Sequence, residues 1–385
     1  MTHSILTRLA APVAATLLLT SSAICGGGDK LYAVSAADAV FRQVDPVTLQ
    51  TIASATMSAP TYTLKYANGL ATHPGTGEVY VLLTPSSGTG RLLGKVAPST
   101  GAVTIVGNTG DKFAGLAFSA SGTLYGITGK GATFASTLYS ISTTTAQPTA
   151  VKTFTGGDYG ESIAFDPNNG RVLRFSGDSV QVFESFDLTT LTSTTIPLTG
   201  DHISEALSMI HVAGDNFLVT DLNDDLFVLN RSGQAKQVGT LAFTAAKGLA
   251  FSNPPASGAY LKLYGNGLPA TGGLIPTLCA GGTPSGGSQV NLGVFNGPGG
   301  VPVVLAIGLS NISVPVSPTC VLQNFPIVPT TIVLNLSGTQ PGEGAASVPL
   351  TIPNGVAMTD LYFQAVAVEV SLKLVSSNPI QFHIQ

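Results

Sequence analysis

One short phrase recurs five times along this 385-residue chain, and its spacing limits the available folds more than any other feature. The copies are Asn68-Gly-Leu-Ala-Thr-His-Pro74, Ala114-Gly-Leu-Ala-Phe-Ser-Ala120, Glu161-Ser-Ile-Ala-Phe-Asp-Pro167, Glu205-Ala-Leu-Ser-Met-Ile-His211 and Lys247-Gly-Leu-Ala-Phe-Ser-Asn253. Their starts lie 46, 47, 44 and 42 residues apart, the period of four-stranded propeller blades. A Gly or Asn turn follows each of the first three phrases, and strand-like runs come next, such as Glu78–Leu83, Thr123–Thr128, Arg171–Ser176 and Asn216–Thr220. Third strands are read at Thr137–Ser142, Val180–Asp187 and Leu226–Asn230. Alternating apolar residues between closely spaced turns mark antiparallel hairpins.

The ends of the repeat region complete each other. Leu31–Ser35, Val40–Asp45 and Leu49–Ala55 read as strands two to four of a unit that lacks its first strand. Lys247–Phe251 is a first strand with nothing after it. Joined, they make a fifth unit from both ends of the region, and such closure removes exposed sheet edges. The expectation is an all-β chain with a five-bladed β-propeller over residues 24–252, its ring closed by N- and C-terminal strands.

The wording of the units resembles bacterial propeller repeats of the YVTN, NHL and DUF4394-like kind. The residues that carry this likeness are Gly115-Leu-Ala-Phe118, Gly122-Thr-Leu-Tyr-Gly126 and Ser136-Thr-Leu-Tyr-Ser-Ile141. The resemblance implies the fold and leaves the activity open, because such propellers host binding proteins and several enzyme classes.

Composition changes after Ser252. Residues 252–385 contain no Arg and five charged residues, Lys262, Glu343, Asp360, Glu369 and Lys373. Short apolar runs recur at Tyr260–Tyr264, Val290–Phe295, Pro302–Ile307, Thr331–Leu336, Ser347–Ile352, Leu361–Leu374 and Ile380–Ile384. Strand-length runs without helical periodicity predict a C-terminal β-sandwich over 253–385. Tyr264-Gly-Asn-Gly267, Leu305-Ala-Ile-Gly-Leu-Ser310, Pro349-Leu-Thr-Ile-Pro-Asn354 and Leu361-Tyr-Phe-Gln-Ala365 resemble a terminal module of many secreted bacterial proteins. That resemblance implies an accessory or surface-display role. The module's usual Cys after its first Gly-x-Gly is Leu268 here, so a disulfide there uses Cys279 or is absent.

The N-terminus reads as an export signal. Met1–Arg8 carries one Arg, Leu9–Thr20 is a 12-residue apolar run, and Ser21-Ser22-Ala23 offers small residues for cleavage. Residues 1–23 are therefore a signal peptide, and the mature chain is secreted or held at the cell surface. A lipid anchor at Cys25 is the lesser alternative, since Ile24 replaces the small residue such sites prefer. Export permits a Cys279–Cys320 disulfide, worth about 3–4 kcal/mol for a loop of roughly forty residues. Two buried thiols are the other possibility. A net charge of −4 supplies no basic stripe for nucleic acid.

Function is sought where propellers place it, at the channel mouth formed by the loops entering the innermost strands. Asn68, Ala114, Glu161, Glu205 and Lys247 occupy one equivalent position, with Lys65, Asp111, Asp158, His202 and Thr244 three residues earlier. Seven of those ten positions are ionisable in a chain with 9% charged residues, which singles them out. Tyr66, Phe113 and Tyr159 stand beside them as aromatic contacts. The leading reading is an exported binding scaffold without catalysis, its partner a protein, glycan or small molecule held by Lys65, Asn68, Asp111, Asp158, Tyr66 and Tyr159. The alternative is a hydrolase or lyase acting on a small ester, lactone or glycan, with Glu161 and Glu205 as the acid/base pair and His202 or Lys247 assisting. No cofactor is indicated. Asp221, Asp224 and Asp225 form an acidic turn where Ca²⁺ is conceivable, although it lacks the spacing of an EF-hand and an Asx turn is the simpler account.

Overall fold

The computed structural model describes residues 30–46, 48–157, 161–252, 260–316, 320–324, 332–355 and 359–384. The signal segment, Cys25, Asp158 and Tyr159 lie outside them. Among the described residues every regular element is a β-strand. The repeat region contributes β1 (Leu31–Ser35), β2 (Val40–Val44) and β3 (Thr51–Thr56), then β4 (Leu64–Thr72), β5 (Val79–Pro85), β6 (Leu92–Val96) and β7 (Val103–Asn108). The third unit is β8 (Phe113–Phe118), β9 (Leu124–Thr128), β10 (Thr137–Ile141) and β11 (Pro148–Thr153). The fourth is β12 (Glu161–Asp166), β13 (Arg171–Ser176), β14 (Val182–Asp187) and β15 (Thr192–Thr195). The fifth is β16 (Thr199–Gly200), β17 (Ala206–Ala213), β18 (Asn216–Asp221), β19 (Asp225–Asn230) and β20 (Gln234–Thr240), followed by β21 (Ala246–Phe251).

Each unit is its own antiparallel sheet, with a short parallel strand, β16, added on the edge of the fifth. The first sheet has the order β21-β1-β2-β3, because Leu31–Val34 of β1 pair with Phe251–Gly248 of β21. The strand at the end of the repeat region therefore completes the sheet at its start, as the sequence predicts. First strands are largely buried, whereas the outer β3 and β15 are mostly exposed.

Alternation along the strands buries both faces of each sheet. Val79, Val81 and Leu83 of β5 join Tyr32, Val34 and Phe41 of the first sheet in one apolar cluster. The intervening Tyr80 and Leu82 join Phe113 and Leu116 of the third sheet. The same division recurs between the third and fourth sheets, at Leu138 and Phe186, and between the fourth and fifth, at Phe175 and Phe217. Leu218 and Val228 of the fifth sheet then share a cluster with Leu31 and Leu249 of the first.

The repeated phrase explains how the first strands come so close. A Cβ on Gly69 would stand 3.5 Å from Gly115 Cα, and one on Gly115 would stand 3.4 Å from Glu161 O. At Gly248 it would lie 2.8 Å from Leu70 N and 2.9 Å from Gly69 C, inside van der Waals contact. Glycine is required there by the neighbouring backbone.

The C-terminal strands are β22 (Tyr260–Leu263), β23 (Thr277–Gly281), β24 (Gln289–Pro298), β25 (Pro302–Gly308), β26 (Val314–Pro315) and β27 (Val321–Leu322). They continue as β28 (Ile332–Asn335), β29 (Pro341–Thr351), β30 (Thr359–Val368), β31 (Leu374–Ser376) and β32 (Ile380–Ile384). One sheet runs β22-β32-β30-β25-β28 with β31 also on β30, and another runs β23-β24-β29. Their facing residues, among them Leu305, Phe363 and Phe382 on the first and Leu278, Leu292 and Val348 on the second, form one core. That core is continuous with Leu218 and Leu226 of the fifth repeat sheet. Asn216 Nδ2 donates to Thr277 Oγ1 at 2.9 Å across the buried contact.

The disulfide expected between Cys279 and Cys320 is not formed. Cys279 is disulfide-bonded and lies within β23 opposite Gly293. Cys320 is a buried thiol whose pKa is pushed up by burial, opposed by a hydrogen bond with Ser376 of β31. Cys279 thus sits within β23, whereas Cys320 lies just before β27. The sequence reading also missed β23, whose Pro- and Gly-rich flanks hide a five-residue strand.

Candidate functional site

The first strands of the five units lie against one another, β4 on β8, β8 on β12, β12 on β17, β17 on β21 and β21 on β4, with an entry mouth at their starts and an exit mouth at their ends. Glu161 opens β12 at the entry mouth, yet it is only 3% exposed. Its Oε1 accepts hydrogen bonds from Ser136 Oγ (2.8 Å), Ser176 Oγ (2.9 Å) and Arg174 Nη2 (3.1 Å). Its Oε2 accepts from Arg174 Nε at 3.0 Å. Arg174 is fully buried, donates through Nη1 to Glu184 Oε1 at 2.5 Å and through Nη2 to the Gly156 carbonyl at 2.9 Å, and stands 4.8 Å from the Phe154 ring centroid. Burial pulls the guanidinium pKa down, but the bonds and fields of Glu161 and Glu184 overcome it and the net shift is upward.

Strand register assembles this triad. Glu161 faces Ser176, and Glu184 faces Arg174, which lies two residues before Ser176 on β13. All four side chains therefore share one face of the fourth sheet. The sequence pairing of Glu161 with Glu205 misses this because it compares equivalent positions in different repeats. Glu161 is bound within its own sheet, and its partner Arg174 was not singled out.

Lys247 on β21 and Glu205, just before β17, do come together at the entry mouth. Burial pushes the Lys247 pKa down and Arg91 adds to that, while the fields of Glu205 and Glu161 oppose it. Neither the Lys247 nor the Glu205 side chain has a hydrogen-bond or ion-pair partner among the described residues. Arg91, immediately before β6, is a third member that sequence reasoning missed. Its pKa is lowered by burial, partly offset by Tyr66, and its guanidinium carbon lies 5.9 Å from the Tyr66 ring centroid. Its Nε has no hydrogen-bond partner among the described residues. The available signal was an arginine after the Gly88-Thr89-Gly90 turn in a chain poor in charge.

The other predicted residues are placed less centrally. Lys65 is exposed, 5.7 Å from the Tyr66 ring centroid. Asn68 is buried and donates to Thr84 Oγ1 at 2.8 Å within its own hairpin. Asp111 accepts the amides of Lys112 at 2.8 Å and Thr133 at 3.0 Å, so it organises a loop. His202 is exposed beside Leu198, Gly200 and Ala235 near the outer strands, so it does not join Glu205. Asp221 is 1% exposed and holds its turn through the amides of Asn223 (2.9 Å) and Asp225 (3.0 Å) and the Ser204 hydroxyl (2.8 Å). Asp225 Oδ1 accepts from Thr240 Oγ1 at 2.6 Å, and Asp224 occupies the turn's left-handed position at φ 64°. Among the described residues, no three His, Cys, Asp or Glu side chains converge as metal ligands.

Below the entry mouth the space between the first strands narrows. Leu70, Leu116, Ile163 and Leu207 surround a space of only about 10 Å³. At the exit mouth it widens into a cavity of about 360 Å³, walled by the ends of all five first strands. His211 lines this cavity. His211 Nε2 donates to the Gly214 carbonyl at 3.1 Å, its ring is edge-on to Phe217, and burial lowers its pKa, opposed chiefly by the Gly214 bond.

No family model and no curated protein sequence matches the chain. Among solved structures it is similar to an auxiliary nutrient binding protein from Bacteroides thetaiotaomicron, with a TM-score of 0.41 and 13% identity over 60% of this chain and 64% of that one. The chain thus spans under two thirds of that neighbour's length. It is also similar to the hydrazine synthase of Kuenenia stuttgartiensis, with a TM-score of 0.36 and 13% identity over 74% of this chain and 80% of that one. Both neighbours are β-rich, and the likeness extends no further than that. Among the described residues no helix is long and apolar enough to cross a membrane.

Proposed function

We propose that the five repeat sheets close into a five-bladed β-propeller, that residues 253–385 form a β-sandwich accessory module, and that the exported chain is a binding scaffold. The β21–β1 pairing and the continuation of core clusters from each sheet to the next support the ring. The observation that carries the functional reading is the state of Glu161. General acid/base work needs a carboxyl that reaches substrate. Glu161 instead has both oxygens engaged by Arg174, Ser136 and Ser176 inside its own sheet.

Removing Glu161 from the mouth leaves Lys247, Arg91 and Glu205 as groups available to a partner. Unpaired charges held in a partly shielded site favour recognition of a charged partner, since each gains most from a complementary group. The test is a chromogenic panel of esters, lactones and glycosides on the purified chain, run beside Glu205→Gln. Silence from both proteins is expected. Turnover by the parent that Glu205→Gln abolishes, with melting unchanged, would overturn the scaffold and establish the hydrolase or lyase reading.

A further inference from the structure

We propose that the exit-mouth cavity binds an uncharged, largely apolar small organic molecule. This site is separate from the charged entry mouth and does not rest on the reading given for it. The cavity's volume, about 360 Å³, falls in the range of roughly 300–1,000 Å³ typical of small-molecule sites. Each of the five first strands contributes a wall, so the site sits on rigid elements.

The wall chemistry selects the ligand. Leu116, Ala164, Met209, Val212 and Leu249 are buried apolar residues lining the space. Phe118, Phe165 and Phe251 hold the same place in three repeats and are only partly covered, which leaves ring surface facing the opening. Among the described residues, no Asp, Glu, Lys or Arg lines the cavity. A charged ligand would lose hydration here without gaining a counter-ion, whereas an apolar one gains by leaving water. The lowered pKa of His211 keeps the wall neutral near pH 7.

The test is fluorescence titration of the full chain with N-phenyl-1-naphthylamine, an uncharged apolar fluorophore, beside the anionic 8-anilinonaphthalene-1-sulfonate. Saturable one-to-one binding of the neutral probe is expected, weakened on the order of tenfold by Ile210→Glu, which puts a carboxylate in the half-buried wall. If Ile210→Glu fails to fold, Ala120→Glu at the exposed rim is read instead, with the same expected direction. The anionic probe should bind at least about tenfold more weakly than the neutral one. Glu205→Gln should leave the titration unchanged. Non-saturable binding, equal affinity for the two probes, or insensitivity to the folded cavity variant would overturn the proposal.

Discussion

Arg174→Met tests whether the carboxylates of the fourth sheet are structural. The substitution keeps an unbranched apolar stem beneath Phe154 and removes every donor of the guanidinium. Glu161 would retain its Ser136 and Ser176 hydroxyls, but Glu184, also buried, would lose its 2.5 Å bond. Removing one member of a buried ion network typically costs about 3–5 kcal/mol, because the remaining charges are left uncompensated. For a cooperative unit of some two hundred residues, that is a melting-temperature loss of roughly 6–20 °C. The assay is thermal unfolding at neutral pH, followed by circular dichroism. Combining Arg174→Met with Glu161→Gln and Glu184→Gln should recover most of the loss at neutral pH. A loss below about 1 kcal/mol, or a triple variant as unstable as the single one, would refute the structural assignment and return Glu161 to the candidates for chemistry.

Two further predictions concern the first strands. Gly248→Ala should cost about 1–3 kcal/mol in chemical denaturation, because its Cβ would meet backbone atoms at 2.8 and 2.9 Å. Gly115→Ala, where the nearest atom stands at 3.4 Å, should be near neutral, and equal costs would contradict the close-approach account. Lys247→Met should raise the melting temperature at neutral pH by about 2–4 °C, since it removes a cation that burial disfavours and the fields of Glu205 and Glu161 offset only in part. A depressed lysine pKa penalises the folded state fully below that pKa, and the penalty fades as pH rises toward the ordinary lysine value near 10.4. The gain from Lys247→Met should therefore shrink in alkali, and a pH-independent gain would assign it to packing alone.

The sequence carried the repeat region nearly strand by strand because local pattern and tertiary role coincide there. The small residue at the second place of the phrase, at Gly69, Gly115 and Gly248, is the one pressed against a neighbouring first strand, and the following Leu or Ile supplies core. β17 departs from this pattern, since its first register shift falls between Ala206 and Ser208, whereas β4 and β8 shift at the first residue of the phrase. The site was less legible. Aligning repeats assumes that equivalent positions share surroundings, yet Asn68 is tied within its hairpin, Asp111 holds a loop and Glu161 is claimed by Arg174. What separates Glu161 from Glu205 is an arginine on the neighbouring strand, visible only once Glu184 and Arg174 are set opposite each other. The exit cavity left no trace at all, because Leu, Ala and Phe in a first strand read as core whether or not a space lies beside them.

The two mouths are distinct chemical compartments, and the constriction between them keeps them so. A space of about 10 Å³ is near the minimum for one water molecule, and its surroundings are mostly apolar side chains and strand backbone. A ligand cannot thread past Leu70, Leu116 and Ile163 without displacing the first strands, which approach each other at Gly248 too closely to admit a Cβ. Above that plug, Lys247, Arg91 and Glu205 retain unpaired charge; below it, the wall carries none. Occupation of one mouth should therefore leave affinity at the other unchanged. Coupling between the two sites would require the first strands to shift together, and a densely packed set of sheets resists that because each sheet is buried on both faces.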